Sequence, residues 1–291
     1  MIKRKDQAGA TTHSRRVKSN GREEHPVSSR DVQSFEEFDG DRDFVTALAR
    51  GLELLRCFGI AERHLGLTEL ARRSRLPKGT VARLAGTLAK LGYLHYSQEH
   101  GAYSLGTAVL SLGYAALSNL DVREMARPLM RELAEHARAS VAIGVRDRLS
   151  VMYVEWVRST EPITVMRSIG VRLPIATTSM GRAYLAAASE AERESILQQV
   201  RLLDEDDWPR VKAEMDRAMQ EYAEKGFCLS VGDWDKSIAS VGVPFTAPDG
   251  TQMAFNCGGP AFIVSREALE QDYGPRLVEL VKRLSIATGR A

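Results

Sequence analysis

LTELARRSRLPKGTVARLAGTLAKLGYL, Leu67 to Leu94, is the stretch that decides the fold. Its pattern predicts a short helix over Thr68 to Ser74, with Thr68 as N-cap and Leu70 and Ala71 turned inward. Leu76 falls in the following turn, and Pro77 stands where the first turn of a helix tolerates it. Val81, Leu84, Leu88 and Leu91 then recur at spacings of three and four until Gly92 stops the helix. Two short helices that cross steeply meet through small and branched residues at such positions, so the segment reads as a helix-turn-helix. Arg75 occupies the turn position often given to glycine.

Opposite the apolar stripe of the second helix lie Gly79, Ala82, Arg83, Gly86 and Lys90, a thin cationic face. Each interior glycine costs roughly 1 kcal/mol relative to alanine. The pair therefore needs either a packing reason or a partner that approaches closely, and a DNA major groove is such a partner. Lys78, Gly79, Thr80 and Arg83 then sit at the helix end that reads base edges, and the Arg83 fork suits guanine. Arg72, Arg73 and Lys90 are assigned to phosphates, Arg50 on the preceding helix joins them, and Thr68 completes the interface. Taken singly, each of these charges reads equally well as a solvated surface group.

The charge distribution points the same way. Residues 42–96 carry 10 Lys+Arg against 4 Asp+Glu, whereas residues 97–291 carry 22 against 26, so the basic excess is local in a chain of net charge +2. Upstream, Leu48, Leu52, Leu55 and Phe58 form one stripe of a first helix that begins near Phe44 and ends at Gly59. Downstream, Tyr93 to Tyr96 and Tyr103 to Leu105 flank a polar turn and read as a hairpin, whose tip at Ser97 to Ala102 would lie on the neighbouring DNA backbone. Residues 42–105 thus make a winged helix-turn-helix domain. Residues 1–41 lack an apolar period and are expected to be disordered. Their basic residues either add phosphate contacts or are a solvated tail.

Gly101 to Leu120 contains no charge, but Ser104, Thr107, Ser111, Ser118 and Asn119 make it too polar for a membrane span. Residues 106–120 read instead as a linking helix, buried or facing a second copy. From residue 121 onward the pattern is mixed. An amphipathic helix over Val122 to Ala139 is expected to be interrupted near Pro128. Strands are expected at Val141 to Arg146, Ser150 to Trp156, Ile163 to Arg167, Ser240 to Phe245 and Thr251 to Cys257, and helices at Thr178 to Ala188, Glu190 to Val200 and Pro209 to Lys225. The class is α+β with a largely antiparallel sheet.

Leu67 to Leu94, followed by YSLGTAVLSLG, closely resembles the IclR family of bacterial transcriptional regulators. The resemblance continues in RLPIATTSMGRAYLAA (Arg172 to Ala187), in Lys225-Gly226-Phe227, and in ASVGVPFTAPDGTQMAFNCGGP (Ala239 to Pro260), covering about residues 44–288. It implies a winged helix-turn-helix, a linker helix and a GAF-like effector-binding domain over residues 121–291. It further implies a dimer or tetramer on a near-palindromic operator, acting as repressor or activator, with small organic or aromatic acids from catabolic pathways as effectors. Dimerisation is expected through residues 44–58 and 106–120. Carried over by position, the effector site comprises Thr178, Met180 and Gly181, then Asp233 and Ala239 with Trp234 as a bulky neighbour, then Asn256 and Gly258; Met180 and Trp234 also read as core residues. Ala176 replaces a histidine common in the family, and Asn256 and Gly258 replace small hydroxyl residues. The start of the Thr178 helix is suited to capture an anion.

An enzyme is the rival from another class. No histidine follows His136, so Cys228 and Cys257 have no imidazole base in their own domain, and no His-rich metal site forms there. Both cysteines, like Cys57, read as small core residues without CxxC spacing. Asp233 and Asp235 imitate an acid pair but are expected to be solvated, and the sequence holds no phosphate-binding glycine motif. The reading is a cytoplasmic, non-enzymatic, cofactor-free DNA-binding regulator. The alternative is a ligand-binding or protein-interaction module with vestigial DNA binding.

Overall fold

The computed structural model describes residues 40–60, 62–160 and 168–289. The disorder expected for residues 1–39 and the strand expected at Ile163 to Arg167 lie outside the described residues.

Three helices open the chain: α1 (Thr46–Arg56), α2 (Leu67–Ser74) and α3 (Lys78–Lys90). The antiparallel hairpin β1 (Leu94–Ser97) and β2 (Ala102–Leu105) follows, and Leu65 bridges to Tyr103 at its edge. Leu54, Phe58, Leu65, Leu70, Val81, Ala85 and Leu94 form the core of this winged helix. Four local expectations are corrected. Gly66, not Thr68, is the N-cap of α2, which leaves Thr68 exposed in the first turn. Pro77 caps α3 from outside, and Leu91 is exposed just past its end. Leu48 and Leu52 are 61% and 52% exposed, because α1 is rotated so that Gly51, Leu54, Leu55 and Phe58 face inward. Gly51 lies on the face turned to α3, where a Cβ would stand 4.0 Å from Leu84, an ordinary contact distance. Arg75 ends α2 in the left-handed conformation at φ 54°, the geometry for which glycine is favoured.

The linker α4 (Thr107–Ser118) has no buried residue, so of its two readings burial within the chain is excluded. α5 (Val122–Ala137) runs unbroken through Pro128, which is exposed and costs one hydrogen bond on the solvated side of the helix.

The C-terminal domain is built on a six-stranded antiparallel sheet in the order β5-β4-β3-β8-β7-β6. Its strands are β3 (Ser140–Asp147), β4 (Ser150–Arg158), β5 (Arg172–Pro174), β6 (Cys228–Val231), β7 (Ile238–Thr246) and β8 (Gln252–Pro260). Helices α6 (Ser179–Ala187), α7 (Glu190–Leu203) and α8 (Trp208–Lys225) precede β6. A short α9 (Arg266–Ala268), a π-helical turn and α10 (Gly274–Ala287) close the chain. One sheet face packs on α5 and α10 through residues such as Met130, Val141, Val241, Phe255 and Leu277. The other packs on α6 and α8 through Ala142, Tyr153, Met180, Leu185 and Met215. Helix α6 lies close against the strands because Gly181 and Gly242 carry no side chain. A Cβ on the first would overlap the Ile175 carbonyl, and one on the second the Ser179 carbonyl. The three cysteines are buried and unpaired.

Candidate DNA interface and ligand cavity

The first residues of α3 stand clear of the protein. Lys78, Gly79, Arg83 and Lys90 are exposed, and Thr80 is half-buried. A Cβ on Gly79 or Gly86 would meet nothing within 4 Å, so neither glycine serves packing inside the chain. The close-approach reason remains, and an α-helix with a thin N-terminal face fits a major groove. Arg50 is exposed on α1.

The two arginines of α2 differ from one another. Arg72 is exposed and grips Glu69 through two hydrogen bonds at 2.8 and 2.6 Å, a surface pair that a phosphate can displace. Arg73 pairs with Glu69 at 2.7 Å and Glu62 at 3.1 Å and donates to the Cys57 carbonyl at 3.0 Å. Its side chain is 14% exposed. The phosphate role expected for Arg73 is therefore corrected: it staples α2 to the end of α1. Hydrogen bonds from Arg72 and then Arg73 draw the Glu69 carboxyl down to about 2.

A small cavity of about 40 Å³ lies in the cleft where the start of α6 meets the sheet, bounded by Trp156, Trp234 and residues of β3, β7 and β8. By this measure a water needs roughly 10–15 Å³, so the space is that of a few waters. Of the residues assigned to the effector site by resemblance, Thr178, Trp234, Asn256 and Gly258 line it. Met180, Gly181, Asp233 and Ala239 do not, each for a physical reason. Met180 is fully buried over Gly144, and Gly181 faces the Ile175 backbone. Ala239 points to the opposite sheet face, since side chains alternate along β7 and its neighbours Ile238 and Ser240 take the cavity side.

Asp233 is held at 2.6 Å by Arg182, and the expectation of a solvated Asp233 and Asp235 pair is corrected. Asp235 lines the cavity and accepts from the Ser237 amide and hydroxyl at 2.8 and 2.7 Å. Sequence reasoning did not find Arg182. Only 2% exposed, it also pairs with Glu214 at 2.8 Å and donates to the Leu229 and Ala176 carbonyls at 2.8 and 3.1 Å. These bonds tie β6 and the segment carrying Trp234 to α6.

Ser140, Tyr153, Trp156, Ser230 and Ser240 were also missed; strand parity is a signal for the serines, whereas Tyr153 and Trp156, of opposite parity on β4, both reach the cavity because the β3–β4 register shifts between Ile143 and Gly144. Several cavity hydroxyls are already committed. Thr178 Oγ1 donates to the Pro174 carbonyl and accepts from the Gly181 amide, Ser230 donates to the Thr177 carbonyl, and Ser179 donates to Ser240. Two groups have capacity to spare. Ser140 Oγ is buried with no hydrogen-bond partner among the described residues, and the Asn256 amide makes one long bond, donated to Tyr153 Oη at 3.3 Å. No Lys, Arg or His among the described residues lines the space. The described residues hold no group of three or more His, Cys, Asp or Glu that could bind a metal. None of their helices is long and apolar enough to cross a membrane.

Residues 47–98 match the IclR helix-turn-helix domain and residues 114–286 the family described as bacterial transcriptional regulator IclR C-terminal. The chain is 33% identical over 242 residues to the HTH-type transcriptional regulator TsaQ1/TsaQ2 of Comamonas testosteroni, covering 82% of this chain and 86% of that protein. It is 29% identical over 265 residues to the Pca regulon regulatory protein of Pseudomonas putida, with 87% of each covered. A solved IclR family transcriptional regulator from Brucella abortus superposes with a TM-score of 0.80 at 47% identity, over 89% of this chain and 97% of that one. An IclR homologue from Microbacterium hydrocarbonoxydans, solved with 4-hydroxybenzoate, shares the fold at a TM-score of 0.61 and 20% identity, over 83% and 97% of the two chains. With both domains matched in order and the winged helix and cavity in place, this chain belongs to the IclR family of transcriptional regulators.

Proposed function

We infer that this DNA-binding transcriptional regulator controls a catabolic operon, and that a small organic or aromatic acid seated in the cavity beside α6 sets its affinity for operator DNA. The observation that carries the reading is the unpartnered buried Ser140 hydroxyl beside the under-used Asn256 amide, in a space walled by two tryptophans. A buried hydroxyl without a partner costs about 1–3 kcal/mol, and a ligand oxygen removes that cost. With no cation in the lining, a carboxylate is held by hydroxyl and amide donors and by the N-terminal dipole of α6. Trp156 and Trp234 are only half-buried, so their shift makes room for a ring and gives the bound state a different shape. Operator affinity changes only if the ligand prefers one arrangement of the domains over another.

Arg83, Lys78 and Thr80 read bases, Arg72, Lys90 and Arg50 hold phosphates, and two or four copies assemble on the operator. The exposed Val45, Leu48 and Leu52 of α1 and Leu110, Leu112 and Tyr114 of α4 supply apolar surface for that assembly. The site of action is the bacterial cytoplasm.

A thermal-shift screen against small carboxylic and aromatic acids, 4-hydroxybenzoate among them, tests the sensor. A ligand that prefers the folded state raises the melting temperature with concentration, and Asn256→Ala abolishes the shift. A shift that survives Asn256→Ala in full moves the ligand to a different site.

A further inference from the structure

The winged helix touches the effector domain of its own chain through ion pairs that neither the DNA interface nor the cavity uses. Helix α1 presents Glu53 and Arg56 one turn apart. The tight turn between β3 and β4, where Arg148 and Leu149 join Asp147 to Ser150, meets them. Arg148 donates both guanidinium arms to Glu53 at 2.9 and 2.6 Å. Arg56 donates to one oxygen of Asp147 at 2.7 Å, and Arg172 of β5 to the other at 2.6 Å.

The Glu53 side chain is only 7% exposed, and a carboxylate so buried is costly unless paired. In this arrangement Glu53 is thus committed to Arg148. Arg148 itself stands at φ 58°, in a two-residue turn where glycine and asparagine are favoured. The backbone there accepts a disfavoured conformation while the side chain reaches across to the other domain. Burial works against the charge of Asp147, but the hydrogen bond and charge of Arg56, followed by those of Arg172, outweigh it and hold the carboxyl below its usual range. Beside these pairs, a Cβ on Gly170 would stand 3.8 Å from Ile60, so the two domains are in van der Waals reach.

We propose that Glu53, Arg56, Asp147 and Arg148 form an ionic clasp that fixes the direction in which the winged helix faces relative to the effector domain. They are positioning residues for DNA recognition and make no contact with DNA. The linker α4 has no buried residue and by itself joins the domains at one place. The clasp is the second attachment, and two separated attachments define an orientation that one leaves free. Arg172 also brings the clasp next to the cavity, because its strand neighbour Leu173 lines that space. Transmission of a ligand signal along β5 rests on the effector reading above; the clasp itself does not.

The test needs no ligand. Nitroxide labels are placed at Gln98→Cys on the wing tip and Glu194→Cys on α7, both exposed positions, and the three native cysteines are buried and spared. Labelled chains are diluted with unlabelled ones so that pulsed electron resonance reads only distances within one chain. The parent chain gives one narrow distribution. Arg148→Glu at least doubles its width, and the swap Glu53→Arg with Arg148→Glu restores it, which loss of a merely structural contact does not predict. Should Glu53→Arg disturb α1, Arg148→Ala and Asp147→Asn, confined to an effector-domain turn, broaden the distribution in its place. A width unchanged by both Arg148→Glu and Arg148→Ala overturns the clasp, and so does broadening that a folded swap variant leaves in place.

Discussion

Arg182→Met offers the most direct check on how the effector domain holds its cavity together. Methionine matches much of the volume but leaves the Asp233 and Glu214 carboxylates without their shared cation, and the Ala176 and Leu229 carbonyls without their donor. Removing one partner of a buried ion pair costs about 3–5 kcal/mol. The two carboxylate side chains are 20% and 14% exposed, and Glu214 keeps Arg210 at 3.0 Å, so the lower end applies. About 3 kcal/mol in a domain of this size lowers the melting temperature by roughly 6–12 °C. Calorimetry at fixed protein concentration reads this directly. Arg210→Ala is the control, since that exposed arginine grips the same Glu214 and its loss costs at most about 1 kcal/mol. Arg182 also tethers β6 and Asp233, so hydrogen exchange in residues 228–235 should rise in the folded variant. A drop under about 2 °C with unchanged exchange refutes the reasoning, because the guanidinium would then hold nothing together.

Further predictions concern the other sites. Arg83→Ala should weaken binding to a cognate promoter fragment by about 1–3 kcal/mol, or about fivefold to more than a hundredfold, in a gel-shift titration; equal losses on promoter and random duplex would remove it from base reading. Arg73→Met should lower the stability of the winged helix while leaving the slope of log affinity against log salt unchanged, and a slope reduced by about one would restore it to the phosphate contacts. Burial pushes the Cys57 thiol up to about 11 and those of Cys228 and Cys257 up to about 12. A thiol-specific disulfide reagent at pH 8 should therefore find no reactive group in the native described fold and three after unfolding. Because these folded values lie above those of the unfolded thiols, stability is fully present below about pH 8.5 and falls as pH rises toward 11–12, by up to ~1.4 kcal/mol per pH unit for each ionising thiol. A urea midpoint that stays flat from pH 8 to 11 would contradict that burial.

The helix-turn-helix was legible because its evidence is local. Leu70, Val81 and Leu88 repeat with the helical period, Gly92 stops the helix, and Gly79 and Gly86 stand where no packing among the described residues calls for glycine. The four long strands were legible through runs such as Ser150 to Trp156 bounded by turns. The strands β5 and β6 were not, since three or four residues are too few for alternation to show. The helix over Gly274–Ala287 displays a readable stripe in Leu277, Leu280, Val281 and Leu284, and was overlooked.

What the sequence by itself determined is the order of the winged-helix elements and of the four long strands, and the family, because period, turn chemistry and motif are properties of neighbours along the chain. Only the tertiary structure decided which of two apolar stripes on α1 is buried, because Leu48 and Leu54 are equally hydrophobic and the choice lies with the core that Leu54 shares with Val81 and Ala85 of α3. It likewise decided that Ser240 and not Ala239 faces the cavity, a matter of one residue of strand parity set by pairing with β8. It alone brought Arg182 to Asp233 and Glu214, and Glu53 to Arg148, across 51, 32 and 95 residues of chain. Charges in a sequence announce their sign but not their partners, and burial, which makes such a pairing obligatory, exists only once the chain has folded.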